Sequence, residues 1–365
     1  MKKIFAIAAV ACAAMLVSCC GNETKVTMGD ESKLDTLSYA IGANIGQGVS
    51  YQMSDIPFNL EKVTEGIKEG AFDKASITHE EAIETLRNYF MTTRNERARE
   101  IAAKRKEADS IRLAQGDSTV VEYPKADEAM FATEEERNEI SYAFGMDIGT
   151  NLAANNLPIQ VYWVGQALTD SFNKSSKMNE MEVNGYLQHY FTVVVPAQNA
   201  EASAEWLEKI EKKSGVKKTE SGLLYKVVKA GDEAVKATDD RDVVSVHYTG
   251  RTREGKVFDT SIFANRPKEI QEMILKQNPA AAEEDQPVEF PLNRVIPGWT
   301  EGMKLVGKGG TIILWIPAEL AYGERGAGRD IGPNEALEFE VELIDVKPYV
   351  EPTPAEEPAT EEAAE

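Results

Sequence analysis

The sequence predicts an α+β protein with an all-helical N-terminal region followed by a region of antiparallel strands. The segment Ser38–Gly46 recurs as Ser141–Gly149, and apolar residues in both copies fall at helical spacing. Further on, residues 242–248 alternate as in a half-buried strand, and a turn through Glu254-Gly255 leads to a second strand. Helices followed by strands indicate separate helical and sheet domains.

Composition narrows the possible partners. The chain has 365 residues, enough for two or three domains, and a formal net charge of −21. Binding to nucleic acid needs an excess of Lys and Arg, and so does electrostatic binding to anionic lipid. The charge therefore argues against both, and mainly favours solubility.

The N-terminus predicts an export signal. Lys2 and Lys3 precede an apolar run over Ile4–Val17, which ends in Leu-Val-Ser before Cys19. This ending resembles the bacterial lipobox, which implies a signal over residues 1–18, acylation of Cys19 and a linker over 19–33. The alternative is a plain secretory signal with an incidental cysteine. Either way, the lack of cysteine beyond residue 20 leaves the folded domains no disulfide.

Each copy of the repeat predicts three helices, over 34–115 and 132–213. The first helix has an apolar face in both copies: Leu37, Ile41 and Ile45, then Ile140, Phe144 and Ile148. The third helix begins with a capping pattern at Thr78 and again at Asn179, each with a glutamate three residues later. In the first copy we expect residues 94–113 to extend the third helix, with its charges on a solvated face.

Five motifs in order carry a family resemblance. They are the hairpin 242–259, Pro287–Leu292, Val295–Trp299, Ala321–Gly323 and Leu337–Leu343. The series resembles the FKBP-type peptidyl-prolyl isomerases over about 215–348. The resemblance implies an antiparallel sheet wrapped around one short helix, and catalysis of cis–trans exchange at X–Pro bonds.

The resemblance also implies roles for individual residues. Catalytic roles fall on Asp259, Tyr322, Phe258 and Trp299, and substrate contacts on Tyr248, Val295, Ile296, Ile331 and Phe339. Trp299 is expected as the floor of an apolar pocket, and the Ile296 N–H as a donor to a substrate carbonyl. Ile331 is expected on a loop that closes over the pocket. Phe290 we assign instead to packing under the sheet.

The repeated helices resemble the N-terminal domain of macrophage-infectivity-potentiator-type isomerases. In that family the domain dimerises two chains, and a long helix leads to the isomerase domain. This chain departs from the pattern because it holds two copies. Our hypothesis is that the copies pair with each other as a pseudo-dimer within one chain, with a homodimer as the alternative.

Two segments differ from the family pattern. Residues 262–286 form an insertion in which Glu269–Lys276 predicts a short amphipathic helix. The insertion is either a substrate clamp or a packed elaboration of the sheet. The loop after Gly323 carries Ala327 and Asp330 where many members have bulkier or apolar residues. Residues 349–365 predict a disordered acidic tail.

These features predict an isomerase that assists the folding of exported proteins with X–Pro bonds, lipid-anchored in the bacterial envelope on the periplasmic side or at the outer membrane. No cofactor or metal is expected, because His79, His189 and His247 are scattered and form no ligand set. The alternative is a holdase chaperone that grips proline with little catalysis. A purely architectural lipoprotein would leave the pocket residues unexplained.

Overall fold

The computed structural model describes residues 26–53, 56–117, 119, 131–155, 157–278 and 285–351. The predicted signal, Cys19 and most of the acidic tail lie outside these ranges. The chain divides into two compact units, one running to Gln198 and including Ala327–Gly332, the other containing Asn199–Gly326 and the chain from Pro333. No helix within the described ranges has the length and apolar character needed to cross a membrane.

The first unit is helical, as predicted. Its helices are α1 (Thr36–Gln52), α2 (Leu60–Ala71), α3 (His79–Asn88), α4 (Arg94–Ala114), α5 (Glu134–Ala154), α6 (Val161–Phe172), α7 (Glu180–His189) and the start of α8 (Val195–Glu211). Both predicted capping boxes are present, at Thr78 with Glu81 and at Asn179 with Glu182. A π-helical turn joins α3 to α4, so the predicted extension of the third helix is confirmed.

The two copies exchange helices within this unit. Helix α1 of the first copy packs on α6 of the second, and α2 packs on α5. The approach is close because each first helix presents glycine. A Cβ added at Gly42 would lie 2.3 Å from the Val164 carbonyl oxygen, and one at Gly145 would lie 2.0 Å from that of Val63. These two contacts occupy equivalent positions in the repeat.

Hydrogen bonds between the copies repeat in the same reciprocal way. The Gln160 N–H donates to Ser38 Oγ at 2.7 Å, and the Asn59 N–H donates to Ser141 Oγ at 2.9 Å. A second matched pair joins two tyrosine hydroxyls to carboxylates: Tyr39 to Asp170 at 2.8 Å, and Tyr142 to Glu69 at 2.6 Å. Contacts that recur with the copies interchanged are the mark of a two-fold interface, here formed inside one chain.

The second unit is an antiparallel sheet around a short helix, as predicted. Its elements are β1 (Lys217–Lys218), β2 (Leu224–Lys229), β3 (Asp232–Lys236), β4 (Val243–Thr252), β5 (Val257–Thr260), α9 (Lys268–Gln277), β6 (Val288–Pro291), α10 (Pro297–Gly302), β7 (Gly307–Lys308), β8 (Thr311–Ile316) and β9 (Leu337–Lys347). The main sheet has the order β1-β2-β8-β9-β4-β5, with β6 also on β4, and β3 pairs with β7.

Helix α10 lies against the concave side of this sheet. Added Cβ atoms at its glycines, Gly298 and Gly302, would lie 2.5 Å from Ile316 and 2.6 Å from Leu314. The helix begins with proline, whose fixed φ suits the first turn. Its approach to β8 places Trp299 deep in the unit, with 4% of the residue exposed.

The part of α8 after Gln198 belongs to the second unit and is held by polar contacts. Asn199 Nδ2 donates to the Pro333 oxygen at 3.0 Å, and Ser203 Oγ donates to the Asn334 oxygen at 3.0 Å. Further along, Ile210 forms a buried cluster with Leu224 and Trp315. The helix is therefore built into the sheet unit through its own side chains.

Candidate active site

A cavity of about 500 Å³ opens between α10 and the sheet. Its lining residues are Tyr248, Asp259, Phe290, Arg294, Val295, Ile296, Pro297, Trp299, Tyr322 and Phe339. They come from β4, β5, β6, β9, α10 and the turns beside them. Mostly apolar and aromatic walls with a few polar groups are typical of a pocket for a small ligand or a short peptide segment.

Trp299 is the centre of an aromatic cluster in this cavity. Its ring centroid lies 5.3 Å from those of Tyr248 and Phe339 and 5.6 Å from that of Phe290. All three pairs are nearly perpendicular, with interplanar angles of 81° to 87°. Edge-to-face pairs of this kind contribute roughly 0.5–1.5 kcal/mol each beyond their buried area, so the cluster gives the cavity a rigid floor.

Gly250 on β4 makes room for a second ring pair. An added Cβ would lie 2.7 Å from both Phe258 and Phe339, whose rings meet edge to face at 5.5 Å. Because neighbouring side chains on a strand point to opposite faces, Asp259 enters the cavity while Phe258 packs across Gly250 on Phe339. Phe258 is thus a support of the wall and is not among the lining residues.

The polar part of the cavity consists of Asp259 and two tyrosines. The Tyr248 hydroxyl donates to Asp259 Oδ2 at 2.7 Å, which fixes the orientation of the carboxylate. Burial, and then the neighbouring carboxylate of Asp259, raise the pKa of Tyr248 above its ordinary value. The same two causes raise the pKa of Tyr322, which is 40% exposed. Both phenols therefore keep their protons at neutral pH.

The start of α10 supplies a backbone donor. Ile296 is the residue before the helix, in extended conformation, and its carbonyl accepts from the N–H groups of Trp299 and Thr300. In the described part of the chain, no protein group accepts the Ile296 N–H. A free donor beside an apolar wall is suited to a carbonyl oxygen of a bound peptide.

The cavity brings together seven of the nine residues predicted for the pocket. The exceptions are Phe258, described above, and Ile331. Ile331 is buried, with 8% exposed, and pairs with Ala327 across a short loop, but it is not among the lining residues. The prediction that its loop closes over the pocket stays a prediction.

Three lining residues were missed by sequence reasoning. Phe290 was assigned to packing under the sheet, and that assignment was wrong, because its ring lies against both Tyr248 and Trp299 in the cavity wall. Its position beside Val244 in the β4–β6 register is what turns it inward. Arg294 ends the short turn before α10, and Pro297 is the first residue of that helix, so apolar periodicity gave no signal for either.

Comparison with known proteins shows which family the chain belongs to. Residues 234–344 match the family model described as FKBP-type peptidyl-prolyl cis-trans isomerase. Residues 34–118 and 137–227 match, as two copies, the domain amino terminal to such isomerases. FkpA of Aeromonas hydrophila, an FKBP-type peptidyl-prolyl cis-trans isomerase, is 34% identical over 248 residues, covering 63% of this chain and 82% of that protein. The chain belongs to the FKBP-type peptidyl-prolyl cis-trans isomerases.

Other members of the family are similar over comparable lengths. The peptidyl-prolyl cis-trans isomerase Mip of Coxiella burnetii is 33% identical over 223 residues, covering 58% of this chain and 87% of that protein. The crystal structure of FkpA from Escherichia coli is 38% identical, covering 50% of this chain and 79% of that chain, with a TM-score of 0.35. The family model matched by residues 234–344 and the similarity to FkpA of Aeromonas hydrophila confirm the predicted isomerase activity at the level of the family.

Within the described ranges, no group of three or more His, Cys, Asp or Glu side chains is arranged to hold a metal ion.

Proposed function

We propose that the cavity floored by Trp299 is the site of X–Pro isomerisation, and that Asp259, Tyr322 and the Ile296 N–H are its polar contacts. The observation that carries the proposal is the aromatic cluster, which forms an apolar floor in the same cavity as the Asp259 carboxylate that the Tyr248 hydroxyl holds. Tyr248, Val295 and Phe339 complete the walls. Phe258 acts through Phe339, and Ile331 through the loop that it anchors.

The proposed mechanism needs no covalent step. The barrier to rotation, roughly 18–20 kcal/mol, comes from the partial double bond of the amide. Resonance is lost when the bond twists, so an environment that favours the twisted state lowers the barrier. Apolar walls remove water that stabilises the planar, more polar amide. The Ile296 N–H and the Tyr322 hydroxyl donate to substrate carbonyls, and the Asp259 carboxylate faces the positive carbon end of the twisted carbonyl.

Substitution of the polar groups tests the assignment. In Asp259→Leu and Tyr322→Phe, kcat/KM for a short X–Pro peptide should fall by tenfold or more, since each loss removes about 1.4 kcal/mol of transition-state stabilisation. Tyr349→Phe is a matched control, because Tyr349 is equally accessible, at 39% against 40%, and lies outside the cavity. Full isomerase activity in Asp259→Leu would mean that this cavity is not the site of isomerisation.

Holdase activity is the second candidate, favoured by exposed apolar side chains on the helical unit. Tyr51 is 89% exposed and Met181 is 84% exposed. Exposed apolar side chains can bind unfolded segments without any catalysis. The cavity variants should still suppress aggregation of an unfolded protein, while Tyr51→Ser with Met181→Ser should weaken it. An intact protein without measurable isomerisation would favour the holdase function over the enzyme.

We further propose that the chain is exported and acylated at Cys19, so that its substrates are exported proteins in the bacterial envelope. The support is the charged start, the apolar run and the Leu-Val-Ser-Cys ending of residues 1–19. Radiolabelled palmitate should be incorporated into the full chain and not into Cys19→Ala. Labelling of both chains would place the lipid elsewhere, and labelling of neither would favour a plain secretory signal.

We propose the domain boundaries 34–115 and 132–213 for the helical copies and 215–348 for the isomerase domain, and a pseudo-dimer of the copies within one chain. The reciprocal contacts at Gly42 and Gly145 support the pseudo-dimer, because they occupy both halves of the interface within a single chain. Both surfaces of the interface are then occupied within one chain, so we expect no dimer of two chains through this interface.

A further inference from the structure

The cavity carries two opposite charges on different elements. Asp259 lies on β5, and Arg294 lies in the turn before α10; they are the two fully charged residues in the lining. The carboxylate already accepts the Tyr248 hydroxyl, and no ion pair joins it to Arg294. A peptide in the cavity therefore meets one negative and one positive side chain, which belong to different elements.

The side chain of Arg294 is exposed. Within the residues that the structure describes, no carboxylate, hydroxyl or carbonyl oxygen bonds to it. A neighbouring cavity shares Val295 and Pro297 with this one and contains Lys304. In contrast to Arg294, Lys304 forms an ion pair with Asp240. An unpaired arginine at a peptide site is a ready partner for a carboxylate, since its planar fork binds both oxygens.

Position brings this cation close to the substrate backbone. Arg294 is two residues before Ile296, whose N–H is proposed to donate to a substrate carbonyl. Its side chain then lies within reach of the residues next to the isomerising bond. The apolar walls accept many different substrate side chains. A single charged contact at the rim therefore affects which peptide is preferred more than it increases the binding affinity for peptides in general.

We propose that Arg294 is a specificity-determining residue that favours substrates with a glutamate or aspartate adjacent to the X–Pro bond. The inference rests on the proposed function of the cavity and adds its preferred substrate class. The cation attracts the carboxylate and, because the contact is exposed, salt weakens the attraction.

The test uses two pairs of short peptides, with Glu or Gln either directly before or directly after proline. Exchange measured by NMR needs no coupling protease, so the kcat/KM values carry no added sequence bias. At one of the two positions the intact protein should favour Glu over Gln by about threefold at low salt, the size of effect expected of an exposed ion pair. The ratio should approach one in 0.5 M NaCl.

Variants assign the preference to the residue. The Glu-to-Gln ratio should fall to about one in Arg294→Gln, fall below one in Arg294→Glu and persist in Arg294→Lys, with magnitudes set by the same exposed ion pair. Lys304→Gln removes an equal charge that is already paired, and it should keep the ratio of the intact protein. A ratio near one at both positions, or one unchanged in Arg294→Gln, overturns the proposal. Undiminished activity in Asp259→Leu would instead overturn the cavity assignment.

Discussion

At the scale of single residues, the Trp299 indole is held by ring contacts. Among the described residues its buried Nε1 has no hydrogen-bond partner, and three aromatic rings pack nearly perpendicular to it. A buried donor left unpaired costs about 1–3 kcal/mol, which the ring contacts offset. Tyr248 has two roles in the cluster. Its hydroxyl donates a hydrogen bond that orients Asp259, and its ring packs against Trp299.

Alkaline titration tests this contact through Tyr248→Phe. The folded protein holds the phenol proton above the ordinary pKa of 10.0, so the unfolded chain loses its proton first as the pH rises. The contribution of Tyr248 to stability is then complete below pH 10 and declines as the pH rises towards its folded pKa. The free energy of unfolding should exceed that of Tyr248→Phe by about 1 kcal/mol at pH 8.

The difference between the two proteins should shrink at pH 11 and stay constant between pH 7 and pH 9, where neither state titrates at this residue. Urea unfolding of both proteins at each pH measures it. Since all other groups titrate alike in both proteins, their effects cancel. A difference that grows above pH 10 would contradict the raised pKa of Tyr248.

At the scale of helices and strands, α4 and α8 are equivalent long helices of the two copies. Each follows a five-residue π-helical turn, but their side chains differ. No residue of α4 is buried. Three side chains hold α8 in the sheet unit: Asn199, Ser203 and Ile210. The equivalent residues of α4 are Ala98, Ala102 and Asp109. Helix α4 therefore lacks the contacts by which its counterpart holds an isomerase domain.

Helix exchange between the copies depends on the close approach at glycine. Gly145→Ala forces a Cβ against the Val63 carbonyl, which is backbone and cannot turn aside. The strain should lower the free energy of unfolding by roughly 1–3 kcal/mol, as measured by urea unfolding followed by circular dichroism. Gly185→Ala on α7 is the matched control, because nothing lies within 4 Å of the added Cβ.

In the control, alanine should leave stability unchanged or raise it by up to about 1 kcal/mol, since it favours the helix. Equal effects of the two substitutions would mean that the α2–α5 approach does not depend on glycine.

Local patterns predicted much of this architecture. The capping boxes at Thr78 and Asn179 and the helix of the insertion follow from spacing alone, because they depend on neighbours within one turn. The repeat suggested that the copies pair with each other. It did not predict which helices pack together, namely that α1 packs on α6 of the other copy and not on α2 of its own copy. The inward face of Phe290 was missed for a similar reason: it depends on the β4–β6 register, which is a long-range contact.

At the scale of the whole molecule, one isomerase domain follows two helical copies, which we propose to pair with each other within one chain. A two-fold interface completed within one chain predicts a monomer. Light scattering after size exclusion should give the mass of one chain at micromolar concentration, with and without the N-terminal signal. A stable mass of two chains, formed through the helical copies, would contradict the pseudo-dimer.

We propose that the proline ring of a bound substrate sits on the indole of Trp299. Intermolecular nuclear Overhauser effects between the intact protein and a short X–Pro peptide measure this contact. We expect effects between the proline ring protons and the Trp299 indole, with further effects to Tyr248 and Phe339. Saturable binding of the peptide with proline contacts elsewhere and none to Trp299 would contradict it.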